Sequence, residues 1–68
     1  MGIKEEFGKQ LIQMRKDRKM SQEKLAELAE LNRPYISAIE RGKRNISLEV
    51  IEKLAQALDI EIKEFFNA

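Results

Sequence analysis

Neither cysteine nor histidine occurs anywhere in the 68 residues. Disulfides are therefore ruled out, and so are structural zinc sites built on Cys or His. A chain this short has a small core and usually needs a covalent or metal staple, a partner subunit, or closely packed helices. Only the last two remain. The composition agrees with helices: Ala, Leu, Glu, Lys, Gln and Ile dominate, while Gly occurs three times and Pro once. There is no low-complexity segment, linker or internal repeat. One domain over residues 1–68 is expected, with no separate effector domain.

Apolar spacing divides the chain into five helices. The first runs from about Ile3 to Arg18, with Ile3, Phe7, Leu11 and Met14 on one stripe. Gly8 inside that stripe predicts a close approach by another helix. The basic run "RKDRK" ends it and suits the negative end of the helix dipole. The second starts at the cap Ser21 and stops near Ala29 or Glu30, with Leu25, Leu28 and Ala29 facing inward. Lys24 stands where a capping-box acid would be, so only half of that motif is present. The third is capped by Asn32. Its first turn holds Arg33 and Pro34, where a missing N–H costs nothing and a fixed φ helps. Ile36 and Ile39 face inward, and Gly42 is placed to end it in the left-handed conformation. The fourth runs from the Ser47 cap through Leu48, Ile51, Leu54, Ala55 and Leu58. The fifth is short, about Glu61 to Phe66. No segment alternates strictly with period two. The expected fold is all-α, a compact five-helix bundle.

Net charge is only +1, but it is unevenly spread. Residues 1–30 hold seven basic and six acidic groups, residues 31–45 four and one, and residues 46–68 two and five. A basic middle and an acidic C-terminal third can turn a positive face to a polyanion and an acidic back to solvent.

No apolar run approaches the roughly 20 residues that span a bilayer. "MGIKEEFGKQ" has acids and no apolar segment, so no signal peptide is expected. Glu6 stands where a myristoylation signal needs Ser or Thr. Without His, Cys, a glycine-rich phosphate loop or a recognisable nucleophile–base arrangement, neither an enzyme nor a metal or cofactor site is expected. The expected location is the cytoplasm, at the nucleoid.

Helices two and three are separated by only about three residues, "ELN". Two short helices that close together cross steeply, as a helix-turn-helix. In that motif the second helix enters the DNA major groove with its N-terminal residues at the base edges. Suitable groups stand there. Arg33 can bond guanine O6 and N7 in parallel. Ser37, one turn on, can bond a base or phosphate, and Ala38 and the Pro34 ring can touch a thymine methyl. Lys43, Arg44 and Asn45 follow Gly42 in a loop and suit phosphate contacts. Gln22, just inside helix two, can bond a phosphate beside the positive helix end. Taken alone, the Arg41-Lys43-Arg44 cluster reads as ordinary solvated surface. The helix-turn-helix spacing reverses that reading.

From about Phe7 to Phe66 the chain resembles the lambda-repressor-like, Cro/XRE-type DNA-binding domain. The resemblance lies in "MRKDRKMSQEKLAELAELNRPYISAIERGKRNISLEVIEKLAQALDI", with "SQEKLA", "YISAIERGKR" and "LAQALDI" in the family's order and spacing. The run "LNRPYISAIERGKRNISL" also resembles the controller proteins of restriction-modification systems, small dimeric regulators. The resemblance implies backbone-phosphate contacts by Gln22, Tyr35, Lys43, Arg44 and Asn45. It places Arg33, Pro34, Ser37 and Ala38 on the base-facing side of helix three. It pairs Arg15 with Glu40 as a buried ion pair between helices one and three. One position departs from the family: its usual turn glycine is Glu30 here. Either Glu30 is held left-handed or the turn has another shape.

Phe65 and Phe66 are adjacent and so point about 100° apart on a helix. Both cannot fully face one small core. With Val50, Ile60 and Ile62 they form the candidate two-fold interface. The expected function is a sequence-specific regulator of transcription, binding double-stranded DNA as a homodimer. The alternative is an antitoxin-like or protein-interaction module that keeps the fold and binds a partner through the acidic fourth and fifth helices.

Overall fold

The computed structural model describes residues 2–66. Four α-helices follow in order: α1 (Ile3–Asp17), α2 (Gln22–Ala29), α3 (Arg33–Glu40) and α4 (Leu48–Leu58). A 3-10 segment, Ile62–Phe66, is the last of the described elements, and there is no strand among the described residues. The fold is all-helical, but the fifth α-helix expected from the sequence is not formed. Five residues are too few to establish an α-helical repeat. The Glu64 N–H instead reaches back three residues to the Glu61 carbonyl at 3.0 Å. The tighter winding brings residues three apart onto one side.

Local chemistry starts three of the helices. The Ser21, Asn32 and Ser47 side-chain oxygens accept from the N–H groups of Lys24, Tyr35 and Val50 at 3.0, 2.9 and 3.1 Å. Each bond satisfies one donor that the helix leaves unpaired.

All four helices end in the same way. Met20, Leu31, Lys43 and Ile60 each donate a backbone N–H five residues back, to Arg15, Ala26, Ala38 and Ala55. The residue before each of them lies in the left-handed region. That residue is Gly42 at the end of α3, but Lys19, Glu30 and Asp59 at the other three ends. Glu30, at φ 58° and ψ 41°, therefore takes the first of the two alternatives left open by the sequence. After the three non-glycine positions stand Met20, Leu31 and Ile60, all packed against the core. This apolar contact accompanies the motif and helps hold the unfavourable backbone in place. After Gly42 stands the exposed Lys43, which provides no such contact. At that end the glycine itself removes the strain.

The core joins Phe7 and Leu11 of α1 to Leu25, Ala26 and Ala29 of α2, Ile36 and Ile39 of α3, and Ile51, Leu54, Ala55 and Leu58 of α4. Phe65 seals it. Two expectations change here. Leu28 does not face inward and is 46% exposed. Leu25, Ala26 and Ala29 define the buried arc of α2, and Leu28 lies about 100° from its centre. Phe65 is not available to a partner: it is 2% exposed, and its ring centroid sits 4.6 Å from that of Phe7. Phe66 is 50% exposed, with its centroid 5.9 Å from Phe7.

Two contacts fix α1 against its neighbours. A Cβ at Gly8 would lie 2.6 Å from the carbonyl oxygens of both Ile39 and Glu40, so α1 and the end of α3 touch backbone to backbone. Arg18 Nε donates to the Leu58 carbonyl at 3.0 Å, which places a cation at the negative end of α4.

Candidate nucleic-acid interface

The left-handed Glu30 turns the chain sharply, and Asn32 starts α3 two residues later. The N-terminal ends of α2 and α3 are thereby brought side by side. Ser21, Gln22, Glu23, Arg33 and Arg15 line a shallow depression between them. On the other side of the α3 start, Asn32, Pro34, Tyr35 and Arg44 line a second depression. The first turn of α3 thus stands as a ridge between two hollows, with cations beside each.

The faces of α3 are sharply divided. Ile36, Ile39 and Glu40 are buried. Arg33, Pro34 and Arg41 are exposed, and Tyr35, Ser37 and Ala38 are half-buried. The outer face therefore combines a guanidinium, a pyrrolidine ring, a hydroxyl and a methyl. Lys43, Arg44 and Asn45 are all exposed beyond Gly42. The Gly42 backbone, at φ 72°, carries them back toward the start of α3. Arg44 reaches far enough to stack on Tyr35, its Cζ lying 4.8 Å from the ring centroid. Arg41 instead folds onto its own helix, where its Nε donates to the Ser37 carbonyl at 3.3 Å.

Behind this surface lies the Arg15–Glu40 pair. Arg15 Nε donates to Glu40 Oε2 at 2.7 Å, and Arg15 Nη2 to Glu40 Oε1 at 3.1 Å. The two side chains are 12% and 4% exposed. The third Arg15 donor, Nη1, bonds the Met20 carbonyl at 2.9 Å. One arginine thus binds the end of α3 and the loop before α2. Gly8 supports this geometry, because the space it leaves lets α1 lie directly against the Ile39 and Glu40 backbone.

Two bonds were not legible in the sequence. Gln22 Nε2 donates to Glu40 Oε1 at 2.8 Å, and Arg33 Nη1 donates to Gln22 Oε1 at 3.3 Å. Gln22 is tied to two side chains of the protein itself, where the sequence suggested only a phosphate. The partners are 18 and 11 residues away along the chain, and no local pattern announces them. The Arg44–Tyr35 stack was missed for the same reason.

The helix-turn-helix family profile matches residues 11–65. The chain belongs to the helix-turn-helix family. Its relatives include control proteins of similar length. Control protein C.BamHI of Bacillus amyloliquefaciens is 48% identical over 62 residues, which span 90% of this chain and 76% of that protein. Control protein C.MunI of Mycoplasma sp is 44% identical over 66 residues, spanning 96% and 89%. The crystal structure of the restriction-modification controller protein C.AhdI from Aeromonas hydrophila superposes with a TM-score of 0.91 at 49% identity, covering 93% of this chain and 96% of that one. The family is one of transcription regulators, and the helix-turn-helix here is α2–Glu30–α3. No helix among the described residues is long and apolar enough to cross a membrane.

Proposed function

We propose that this chain is a sequence-specific regulator of transcription of the control-protein type. It binds a near-palindromic double-stranded operator as a homodimer, with α3 in the major groove. The observation that carries this reading is the ridge at the start of α3. Arg33 and Pro34 stand exposed on it, the α2 N-terminus flanks one side, and Arg44 flanks the other. A ridge with a donor at its crest, a helix N-terminus at one shoulder and a cation at the other suits a groove floored by base edges and walled by phosphates.

In this reading Arg33 bonds guanine O6 and N7. Ser37 bonds a base edge or phosphate, and Pro34 and Ala38 meet thymine methyls. Lys43, Arg44, Asn45, Tyr35 and Gln22 contact the backbone. Tyr35 and Arg44 act as one unit, since the guanidinium already rests on the ring. The two-fold interface uses the half-buried Val50 and Ile60 with the exposed Ile62 and Phe66. Acting on DNA places the protein in the cytoplasm, at the nucleoid. The names of the control-protein relatives support the regulatory role.

The test is selection from a random duplex pool at physiological salt, with wild type, Arg33→Ala and Arg44→Ala in parallel. Wild type should enrich an inverted repeat whose half-sites lie about one helical turn, or 34 Å, apart. Arg33→Ala should lose the preference at one base pair per half-site, at a cost of ~1–3 kcal/mol each. Arg44→Ala should weaken all sequences alike and flatten the salt dependence by about one phosphate per half-site. No enrichment, with binding that vanishes as salt is added, would reduce the basic face to a polyanion patch.

A further inference from the structure

We infer that the apolar hollow between the start of α1 and the α3–α4 loop binds a small organic carboxylate with an apolar body, and that this ligand competes with DNA for Arg44. The site stands on the geometry of the hollow. Its effect on DNA rests on the reading of Arg44 as a phosphate contact.

The hollow measures about 150 Å³. Buried Phe7, Ile39 and Ile51 form its floor, and exposed Ile3 and Phe66 its walls. An apolar cavity of about this size takes up a molecule as large as benzene. The rim has a different chemistry. Exposed Lys4 and Arg44 stand there with the Asn45 amide, and none of the lining residues is acidic. Glu5, next to Lys4 in sequence, turns its carboxylate toward Gly2, where its Oε1 lies 2.6 Å from the place a Cβ would take. Neither Lys4 nor Arg44 has an ion-pair partner among the described residues. An apolar floor beneath two uncompensated cations fits an aryl or short alkyl body that carries one carboxylate. The hollow is open on one side, so the carboxylate keeps part of its water and its desolvation cost is small.

Arg44 is the link to DNA. It lines this hollow and also the depression at the start of α3 that holds Asn32, Pro34 and Tyr35. Its guanidinium rests on the Tyr35 ring, 4.8 Å from the centroid, which is the α3 side. One guanidinium cannot face a phosphate there and a carboxylate in the hollow at once. A bound carboxylate therefore withdraws one phosphate contact per half-site and places a negative charge behind the loop. By linkage, DNA weakens the ligand by the same factor. The competing occupant is a second copy of the chain, because Phe66 also belongs to the proposed two-fold face. The other residues of that face, Val50, Ile60 and Ile62, are apolar and offer the two cations no anion.

The test titrates benzoate, and benzyl alcohol as its uncharged counterpart, into wild type and Lys4→Gln while following the isoleucine methyl signals. Sodium chloride at equal ionic strength is the control. The titration runs to about 20 mM, well above the Kd on the order of 1 mM expected of so small a ligand. Benzoate should shift Ile3, Ile46 and Ile51 saturably and leave Ile36, which is buried away from the hollow, unmoved. Lys4→Gln should weaken benzoate about two- to fivefold, the worth of one exposed ion pair, and leave benzyl alcohol unchanged. Operator affinity should fall about fivefold per half-site as benzoate saturates, the worth of one released counterion at about 0.15 M salt. No saturable shift, or equal affinity for benzoate and benzyl alcohol, would overturn the site. So would shifts that follow protein concentration instead of benzoate, which put a second copy in the hollow. Saturation with operator affinity unchanged would overturn the competition for Arg44. If the chain binds no duplex at all, the regulatory reading fails by itself, and the methyl titration still decides the site.

Discussion

Replacing Arg15 with methionine should cost more than any other single change at the helix-turn-helix support. Glu40 is the reason. Its carboxylate is 4% exposed and takes two of its three hydrogen bonds from Arg15. Removing Arg15 leaves a buried negative charge with one amide donor. Breaking a buried pair from one side costs ~3–5 kcal/mol. A chain of 68 residues has a total stability of about 3–10 kcal/mol at ~0.05–0.15 kcal/mol per residue. The variant therefore loses much or all of its fold. Glu40→Gln should cost less, at ~1–3 kcal/mol, because the orphaned group is then Arg15, which is nearer water at 12% exposed and keeps a bond to the Met20 carbonyl. Arg15→Met with Glu40→Leu should recover to within ~1–2 kcal/mol of wild type, since no buried charge remains. The assay is urea unfolding at a fixed protein concentration, because any self-association would shift apparent stability. With a slope of about 1 kcal/mol per molar, Arg15→Met should lower the midpoint by ~3 M or leave no folded baseline. A drop below ~1 M, or a double variant no better than Arg15→Met, would show that the pair is solvated and that its burial does not govern its energy.

Two further outcomes follow from backbone geometry. Glu30→Gly should stabilise by ~0.5–1 kcal/mol, because it relieves ~1–2 kcal/mol of left-handed strain at φ 58° and returns ~0.4–1 kcal/mol through greater freedom of the unfolded chain. Thermal unfolding should show the midpoint rise by several degrees, and a fall would mean that the Glu30 side chain contributes more than its backbone costs. Gly8→Ala should destabilise by ~1–3 kcal/mol despite the better helix propensity of alanine, because the new methyl meets two backbone carbonyls at 2.6 Å. Chemical unfolding measures this directly, and a neutral result would mean that α1 can back away from α3 without loss.

Which parts of this molecule were written in its sequence depends on how far each interaction reaches. The caps at Ser21, Asn32 and Ser47 bond backbone three residues ahead, so residue type and position announce them. Pro34 in the first turn of α3 and Gly42 after its end are likewise local, because each acts on its own backbone. Helical period identified most of the core, since a face that must be buried repeats along the chain. These signals were enough for the four α-helices, the short turn between α2 and α3, and the basic loop beyond.

Tertiary structure decided the rest. Lys19, Glu30 and Asp59 adopt left-handed backbone that their side chains do not favour, because the following Met20, Leu31 and Ile60 are pulled into the core. Leu28 is exposed because smaller alanines face the neighbouring helices, and periodicity does not tell which of two adjacent arcs will be covered. Phe65 is buried and Phe66 exposed because Phe7 offers one ring-sized place beneath a 3-10 turn. Gln22 faces inward because a carboxylate 18 residues away can only accept. The sequence by itself determined where helices begin and end and which stretch is basic, through bonds that close within a few residues. The folded structure decided how the basic stretch is held, because the groups that hold it meet only after the chain has returned on itself.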